Sequence, residues 1–286
     1  MVDGSNSVME ILINNGFNLK KSLGQNFLID RNITKKIVRL SGITALSNVL
    51  EIGPGVGALT TSLCQSAKSV VAVELDKRLL PILHDVLKPY DNIKIIQGDV
   101  LKLDIKSLVA EYFLDSECCV CANLPYNITT PILQTLIEAT SFSNITVMIQ
   151  REVAKRICAK PGTTEYGAFT LYINYHCDPE ILFDVPPDCF VPKPKVFSSV
   201  VTMKIKQKRL LGADIEKTFF RVVRASFGQR RKTLVNALHS DFGDLLSKEV
   251  LNEIVVKCGF DSRVRGEMLS LNEFIELSKI LHQMQD

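Results

Sequence analysis

The 286-residue chain contains no run approaching the roughly 20 uninterrupted apolar residues that span a bilayer, and its first residues lack the basic-then-apolar layout of a secretion signal. A cytoplasmic location is therefore expected. Charge of one sign is also scarce in excess: 34 Lys+Arg stand against 31 Asp+Glu, a formal net charge of +3. So mild a balance excludes a wholly basic surface and leaves room only for a localised basic patch. No internal repeat and no low-complexity tract occurs. There are eight cysteines, but no two pairs at zinc-finger spacing: Cys64, Cys158, Cys177, Cys189 and Cys258 stand alone, and Cys118, Cys119 and Cys121 crowd into one apolar run with no partner His. That pattern predicts no metal and reads as small buried hydrophobes in a reducing compartment. A Gly-x4-Gly-Lys-Ser/Thr phosphate loop is missing too, which argues against ATP.

What the chain does have is apolar content, 46% of residues against 23% charged, enough to offset the ordering entropy of a large core and exclude intrinsic disorder. From about residue 47 to 150, short apolar runs at 49–52, 70–73, 93–96, 118–122 and 145–149 alternate with segments at 57–67, 76–88 and 130–139 that repeat apolar residues every three or four positions. Strands separated by crossover helices predict an α/β fold with a doubly wound parallel sheet. Two further strands are expected at 168–175 and 198–206, separated by a proline-rich loop at 185–195. Beyond about residue 212 only helix signals remain. The expected organisation is an N-terminal extension at 1–19, a first domain at 20–207 and a small all-helical domain at 208–286.

Val49-Leu-Glu-Ile-Gly53-Pro-Gly55-Val-Gly57-Ala-Leu-Thr60 reads as a strand, a glycine turn and a helix start. Glycines at such a turn let the backbone approach a ligand closely. The Gly-x-Gly-x-Gly spacing is only a degenerate match to the dinucleotide fingerprint, because position 58 is Ala. The next strand ends in Glu74, about twenty residues after Gly53, where a carboxylate can accept two ribose hydroxyls. A third strand ends at Asp99, suited to an adenine amino group. Three consecutive strand ends thus converge on an adenosine-shaped ligand with no pyrophosphate cradle, which fits S-adenosylmethionine better than NAD.

The fourth strand runs into Asn123-Leu124-Pro125-Tyr126, which matches the Asn/Asp-x-Pro-Tyr pattern of methyltransferases that act on exocyclic amino groups. An adenine amino nitrogen is a poor nucleophile because its lone pair is delocalised into the ring. The Asn123 side-chain oxygen and the Leu124 carbonyl could accept its two N–H groups and favour a pyramidal nitrogen. Pro125 stiffens the turn, and Tyr126 can stack on a base drawn out of its helix. Phe190, in the loop Phe190-Val-Pro-Lys-Pro-Lys-Val-Phe-Ser198, is expected to pack that base from the other side.

Taken together with Leu23-Gly-Gln-Asn-Phe-Leu28, Gln150-Arg-Glu-Val153 and Pro161-Gly-Thr-Thr-Glu-Tyr-Gly167, these motifs resemble the ribosomal RNA adenine N6,N6-dimethyltransferase family, the KsgA/RsmA type, over nearly the whole chain. The resemblance implies a Rossmann-like class I methyltransferase domain. It also implies that Asn26, Leu28, Gly53, Gly55, Glu74, Asp99 and Asn123 line the S-adenosylmethionine site, with Asn123, Leu124, Pro125, Tyr126 and Phe190 receiving the adenine. The implied reaction dimethylates two adjacent adenosines near the 3′ end of 16S, small-subunit, ribosomal RNA within the assembling 30S particle, carried out by a monomer. Arg221, Arg224, Arg230, Arg231 and Lys232, grouped around a helix of the C-terminal domain, agree with an RNA-phosphate face. The related erythromycin-resistance methyltransferases typically carry Ile inside the Asn-x-Pro-Tyr motif and lack the proline after the first glycine, so Leu124 and Pro54 favour the small-subunit enzyme. A ribosome-assembly factor with a vestigial methyl-donor pocket is the rival from another class, and intact Glu74, Asp99 and Asn123 count against it.

Overall fold

The computed structural model describes residues 26–113, 117–139 and 141–284. The N-terminal extension at 1–19 and the motif residues Leu23, Gly24 and Gln25 lie outside them. The chain divides into two compact units, one comprising the chain up to Ala154 plus Glu180–Ile205, the other Lys155–Pro179 plus the chain from Lys206 onward.

In the first unit a short strand β1 (Phe27–Leu28) and a helix α1 (Arg31–Leu40) precede the alternating strands and helices. These are β2 (Asn48–Ile52), α2 (Ala58–Cys64), β3 (Ser69–Glu74), α3 (Leu80–Leu87), β4 (Ile93–Gln97), α4 (Ile105–Phe113), β5 (Cys118–Asn123), α5 (Thr129–Glu138) and β6 (Phe142–Gln150). The five strands β2 to β6 are parallel neighbours in the order β4-β3-β2-β5-β6. Helices on both faces bury every residue of β2, which explains why its sequence does not alternate apolar with polar, and why its two polar residues, Asn48 and Glu51, are buried with the rest. The expected parallel α/β sheet is therefore present. The chain order reverses between β2 and β5, so their carboxyl ends flank the crevice where open α/β sheets take ligands.

The expected strand near 198–206 is β9 (Ser198–Ile205), which pairs antiparallel with β6 from Asn144↔Lys204 to Gln150↔Ser198. The other expected strand, 168–175, is corrected by the structure. Ala168–His176 is a helix, α7, which follows α6 (Arg151–Ile157). Its aromatic content suggested β structure, but Phe169, Tyr172 and His176 recur at helical spacing, with ring centroids 6.3 Å and 4.9 Å apart along the helix. The Thr170 hydroxyl accepts the Gly167 N–H at the first turn and donates to the Arg156 carbonyl at 2.6 Å. A strand not expected, β7 (Cys177–Val185), follows at once and forms the edge of the seven-stranded sheet beside β9. Pro179 and the flanking acids Asp178 and Glu180 hid it, yet an edge strand tolerates a proline because its outward N–H needs no partner. A separate two-stranded ladder joins β1 to β8 (Phe190–Val191), pairing Leu28 with Phe190 and Phe27 with Val191.

The second unit is helical: α7 is joined by α8 (Ala213–Gly228), α9 (Leu234–Phe242), α10 (Lys248–Lys257) and α11 (Leu271–Gln283). Tyr175, Phe219, Phe242 and Phe274 lie in its buried core. Tyr175 stacks on Phe219 at 4.9 Å, and Tyr166 donates to the Leu269 carbonyl at 2.8 Å. These contacts give 155–179 a place in the helical unit, whereas sequence order alone put that stretch in the first domain. N-caps define the helix starts: Thr233 and Ser247 accept backbone N–H groups, and Ser270 with Glu273 forms a capping box.

Candidate active site

Four parallel strand ends meet at one edge of the first unit, and a cavity of about 300 Å³ opens there. Asn26, Leu28, Gly53, Gly55, Glu74, Asp99 and Asn123 all line it, as do Leu124, Pro125 and Tyr126. The turn after β2 is possible only with glycine at its tightest point. Gly55 has φ +61, and a Cβ there would stand 2.9 Å from the Phe27 ring. Phe27 therefore closes one wall of the cavity directly over the turn, a role no motif in the sequence flagged. The Gly57 carbonyl then accepts from Thr61, starting α2.

Two carboxylates sit at this edge. Glu74 accepts the Gly55 N–H at 3.1 Å through one oxygen and the Asp76 N–H at 2.7 Å through the other, so it holds the glycine turn in place. Burial raises its pKa, and those two N–H bonds oppose the shift. A carboxylate has about four acceptor sites, so these bonds leave capacity for a ribose hydroxyl. Asp99 accepts the Leu101 N–H at 3.1 Å and keeps a partly exposed face. Sequence reasoning gave no role to Glu51, in the middle of β2. It is 1% exposed, lines the cavity and has Oε2 without a hydrogen-bond partner. Burial pushes its carboxyl up to about 8, against the opposing effect of the neighbouring Thr60 hydroxyl and with the Glu74 charge adding to it. A buried acceptor left unpaired is costly, and it fits a ligand that brings a cationic amino group. The cavity thus matches S-adenosylmethionine in three respects: a glycine turn that admits close backbone approach, a carboxylate with spare acceptor sites for a ribose, and an orphaned acid for an ammonium.

The Asn123-Leu-Pro-Tyr126 turn lies beside that cavity. Asn123 Nδ2 donates to the Asn26 carbonyl at 3.2 Å. A carbonyl can accept only from the amide nitrogen, so the bond also fixes where Oδ1 points. The Leu124 N–H is held by the Met148 carbonyl at 3.1 Å, and among the described residues no backbone N–H takes the Leu124 carbonyl. Pro125 holds φ −59, ψ 130. Thr129 donates to the Pro125 carbonyl at 3.0 Å, which fastens the start of α5 to the turn. The Tyr126 hydroxyl lies 2.6 Å from Ser198 Oγ, at the start of β9. Burial raises the Tyr126 pKa, so its phenol stays neutral.

Residues 16–279 match the model of the ribosomal RNA adenine dimethylase family. The chain belongs to that family. It is 48% identical over 275 residues to the ribosomal RNA small subunit methyltransferase A of Geobacillus kaustophilus, covering 95% of this chain and 94% of that one. It is 45% identical to the enzyme of the same name from Lachnoclostridium phytofermentans, covering 96% of each. Among solved structures, a dimethyladenosine transferase from Plasmodium falciparum aligns with TM-score 0.75 at 24% identity, covering 90% of this chain and 98% of that one. The 23S rRNA methyltransferase ErmE aligns with TM-score 0.71 at 22% identity, covering 89% and 98%. At those identities the likeness is one of fold, the class I methyltransferase sheet with a helical C-terminal region.

Two sets of the expected dimethylase residues are placed differently from the rest. Phe190 does not line the cavity. It is 2% exposed and sits in the core with Leu28, Met148, Val185 and Val200, because its strand pairs with β1 and turns the ring inward. The five basic residues also fall into distinct environments. Arg221 is half-buried, bonded to the Asp241 carboxylate at 3.0 Å and to the Asp241 carbonyl, with its guanidinium 4.1 Å from the Phe242 ring centroid. Arg230 pairs with Glu267 at 3.2 Å and donates to the Thr164 carbonyl. Arg224, Arg231 and Lys232 are exposed.

Proposed function

We propose that this protein dimethylates the N6 amino groups of two adjacent adenosines near the 3′ end of 16S ribosomal RNA, acting as a monomer on the assembling 30S particle in the cytoplasm. The observation that carries the reading is family membership across nearly the whole chain, together with an Asn123 amide whose oxygen is aimed by the Asn26 carbonyl.

Glu74 and Asp99 take the ribose and adenine of S-adenosylmethionine, Glu51 meets its amino group, and Gly53 and Gly55 admit it against the backbone. When bound, S-adenosylmethionine supplies an activated methyl group at this edge. The protein's own task is to position the target nitrogen and make it nucleophilic. In the first transfer Asn123 Oδ1 and the Leu124 carbonyl accept the two N6–H groups and draw the lone pair out of conjugation; in the second, the one remaining N–H takes one of these acceptors. Each transfer forms an N–C bond as the donor's S–C bond breaks, and the nitrogen then loses one proton to solvent. Tyr126 stacks on the flipped base and excludes water. Since the donor is already activated, no strong general base is required, and orientation supplies much of the rate.

Incubation of the pure protein with radiolabelled S-adenosylmethionine and small subunits lacking adenine dimethylation, with naked large-subunit RNA in parallel, tests the reading. Dimethyladenosine in the small-subunit sample alone is the expected result. Label only in the large-subunit RNA would assign the chain to resistance-type chemistry, and label in neither would leave an assembly factor.

A further inference from the structure

Outside the cavity, one group of residues in the first unit couples aromatic exposure to positive charge. Phe197 is 40% exposed, although a phenyl ring is among the side chains most often buried. The Arg151 guanidinium lies over it, 4.7 Å from the ring centroid. The stack is held from below: the Arg151 N–H donates to the Phe197 carbonyl at 3.0 Å, and the Arg151 side chain reaches Asp184 at 3.9 Å. Asp184 is itself fixed by the Ser199 hydroxyl. With Phe197 and Ser199 anchored on either side, the next residue, Ser198, is the one whose hydroxyl meets Tyr126. The Phe197 backbone is therefore within about 9 Å of the Tyr126 hydroxyl, given one peptide step of 3.8 Å.

We propose that Phe197 and Arg151 form a platform on which an unpaired RNA nucleotide flanking the target adenosine stacks. The inference rests on the functional reading above and specifies how substrate is held next to the reacting base. Every base offers a π-face, and unstacked bases in RNA loops are taken up by aromatic rings and arginine planes. An exposed ring alone could serve a protein partner. A guanidinium laid over it adds a charge for the flanking phosphate. Phe197 and Ser198 are neighbours at the start of β9 whose side chains face opposite ways, so the ring lies off the target-base position while its backbone stays within about 9 Å of the Tyr126 hydroxyl, a placement for a flanking nucleotide rather than the target itself. Asp184 lies 3.9 Å from the guanidinium, and this half-exposed pair must open for the charge to meet a phosphate.

Steady-state methylation of undimethylated small subunits by Phe197→Ala, Phe197→Leu, Phe197→Tyr and Arg151→Ala tests the proposal, with calorimetric S-adenosylmethionine binding and thermal melting as controls. Phe197→Ala is expected to raise the KM for subunits about tenfold, the loss typical of one base–aromatic stack. S-adenosylmethionine affinity and melting temperature should stay at wild-type values. Phe197→Leu keeps apolar bulk without a π-face and should behave like the alanine variant, while Phe197→Tyr restores wild-type KM. Arg151→Ala should raise KM and flatten its salt dependence. An unchanged KM in Phe197→Ala, or full activity in Phe197→Leu, would overturn the platform. Inactivity of the wild-type protein on small subunits would instead overturn the functional reading on which it rests.

Discussion

The Tyr126 hydroxyl and the Ser198 Oγ lie 2.6 Å apart, joining the turn after β5 to the first residue of β9, 72 positions later. Ser198 is fully buried, and its backbone is held in register opposite Gln150. The tyrosine ring is thus fixed at both ends, by the proline-stiffened backbone and by its hydroxyl. Removing the anchor should loosen the ring without emptying the cavity. Ser198→Ala is expected to lower kcat roughly 3- to 10-fold, in line with one net hydrogen bond of about 1 kcal/mol. Tyr126→Phe should show the same loss, and the double variant should lose no more than either single one. Additive losses would mean that Ser198 acts through something other than the tyrosine.

Gly55 offers a sharper test of the cavity floor. Its φ of +61 is disfavoured for any residue with a Cβ, and the added carbon would meet the Phe27 ring at 2.9 Å. Gly55→Ala should therefore cost about 1–2 kcal/mol of stability through backbone strain alone. It should also weaken S-adenosylmethionine binding, because Phe27 or the turn must shift into the cavity. Calorimetry on Gly55→Ala beside Gly42→Ala separates the two effects. Gly42 has φ +76 with open space around it, so that variant should carry the strain and leave ligand affinity intact.

Glu51 makes stability depend on pH in a definite direction. Folded, its carboxyl holds a proton up to about 8, and the ordinary value is 4.5. Between those values the folded state binds more protons than the unfolded chain, so stability falls as pH rises across the window. Glu51→Gln replaces the acid with a neutral side chain of the same shape. Melting curves of the ligand-free protein between pH 5 and about 8.5 should show the wild type losing stability relative to Glu51→Gln. The same variant should bind S-adenosylmethionine more weakly above about pH 8, where the wild-type carboxyl is charged and the amide is not. Parallel curves for the two proteins would remove Glu51 from both roles.

The strands and glycine turn of the first unit could be read because each is a local signal, a mostly apolar run ended by glycine or acid, and burial on both sheet faces leaves few polar residues such as Glu51 within the runs. Gly53, Glu74, Asp99 and Asn123 were legible together since parallel strands put all their carboxyl ends at one edge. What escaped was nonlocal. Phe27 over Gly55 and Ser198 under Tyr126 are pairings that no spacing in the chain encodes. The Ala168–His176 helix was misread as a strand because aromatic residues favour strands when isolated, and here they stack along a helix face and on Phe220 of the same unit. Position 190 shows the limit of a motif: the sequence placed Phe190 in the right loop, but the β1–β8 ladder decides which way its ring faces.

The basic residues of the helical unit provide the last test, because their environments differ. Arg221 is enclosed by Asp241 and the Phe242 ring, so its charge is already used within the fold. Removing it leaves Asp241 unpaired and strips a cation from the ring. Arg221→Ala should therefore lower stability by about 1–2 kcal/mol in thermal melts, with small effect on RNA affinity. Arg231 and Lys232 are exposed next to each other in the turn that follows α8, free to meet phosphates. The double change Arg231→Ala with Lys232→Ala should leave the melting temperature in place, weaken RNA binding, and reduce the slope of log K against log salt by about 1.4, the value for two contacts with single-stranded phosphates. Arg230 falls between these cases, as its ion pair with the partly exposed Glu267 must open before it can reach RNA. Arg230→Ala should accordingly change the slope by less than either exposed neighbour. If Arg221→Ala instead lowered the salt slope and spared the fold, the phosphate-binding face would lie on the opposite side of α8.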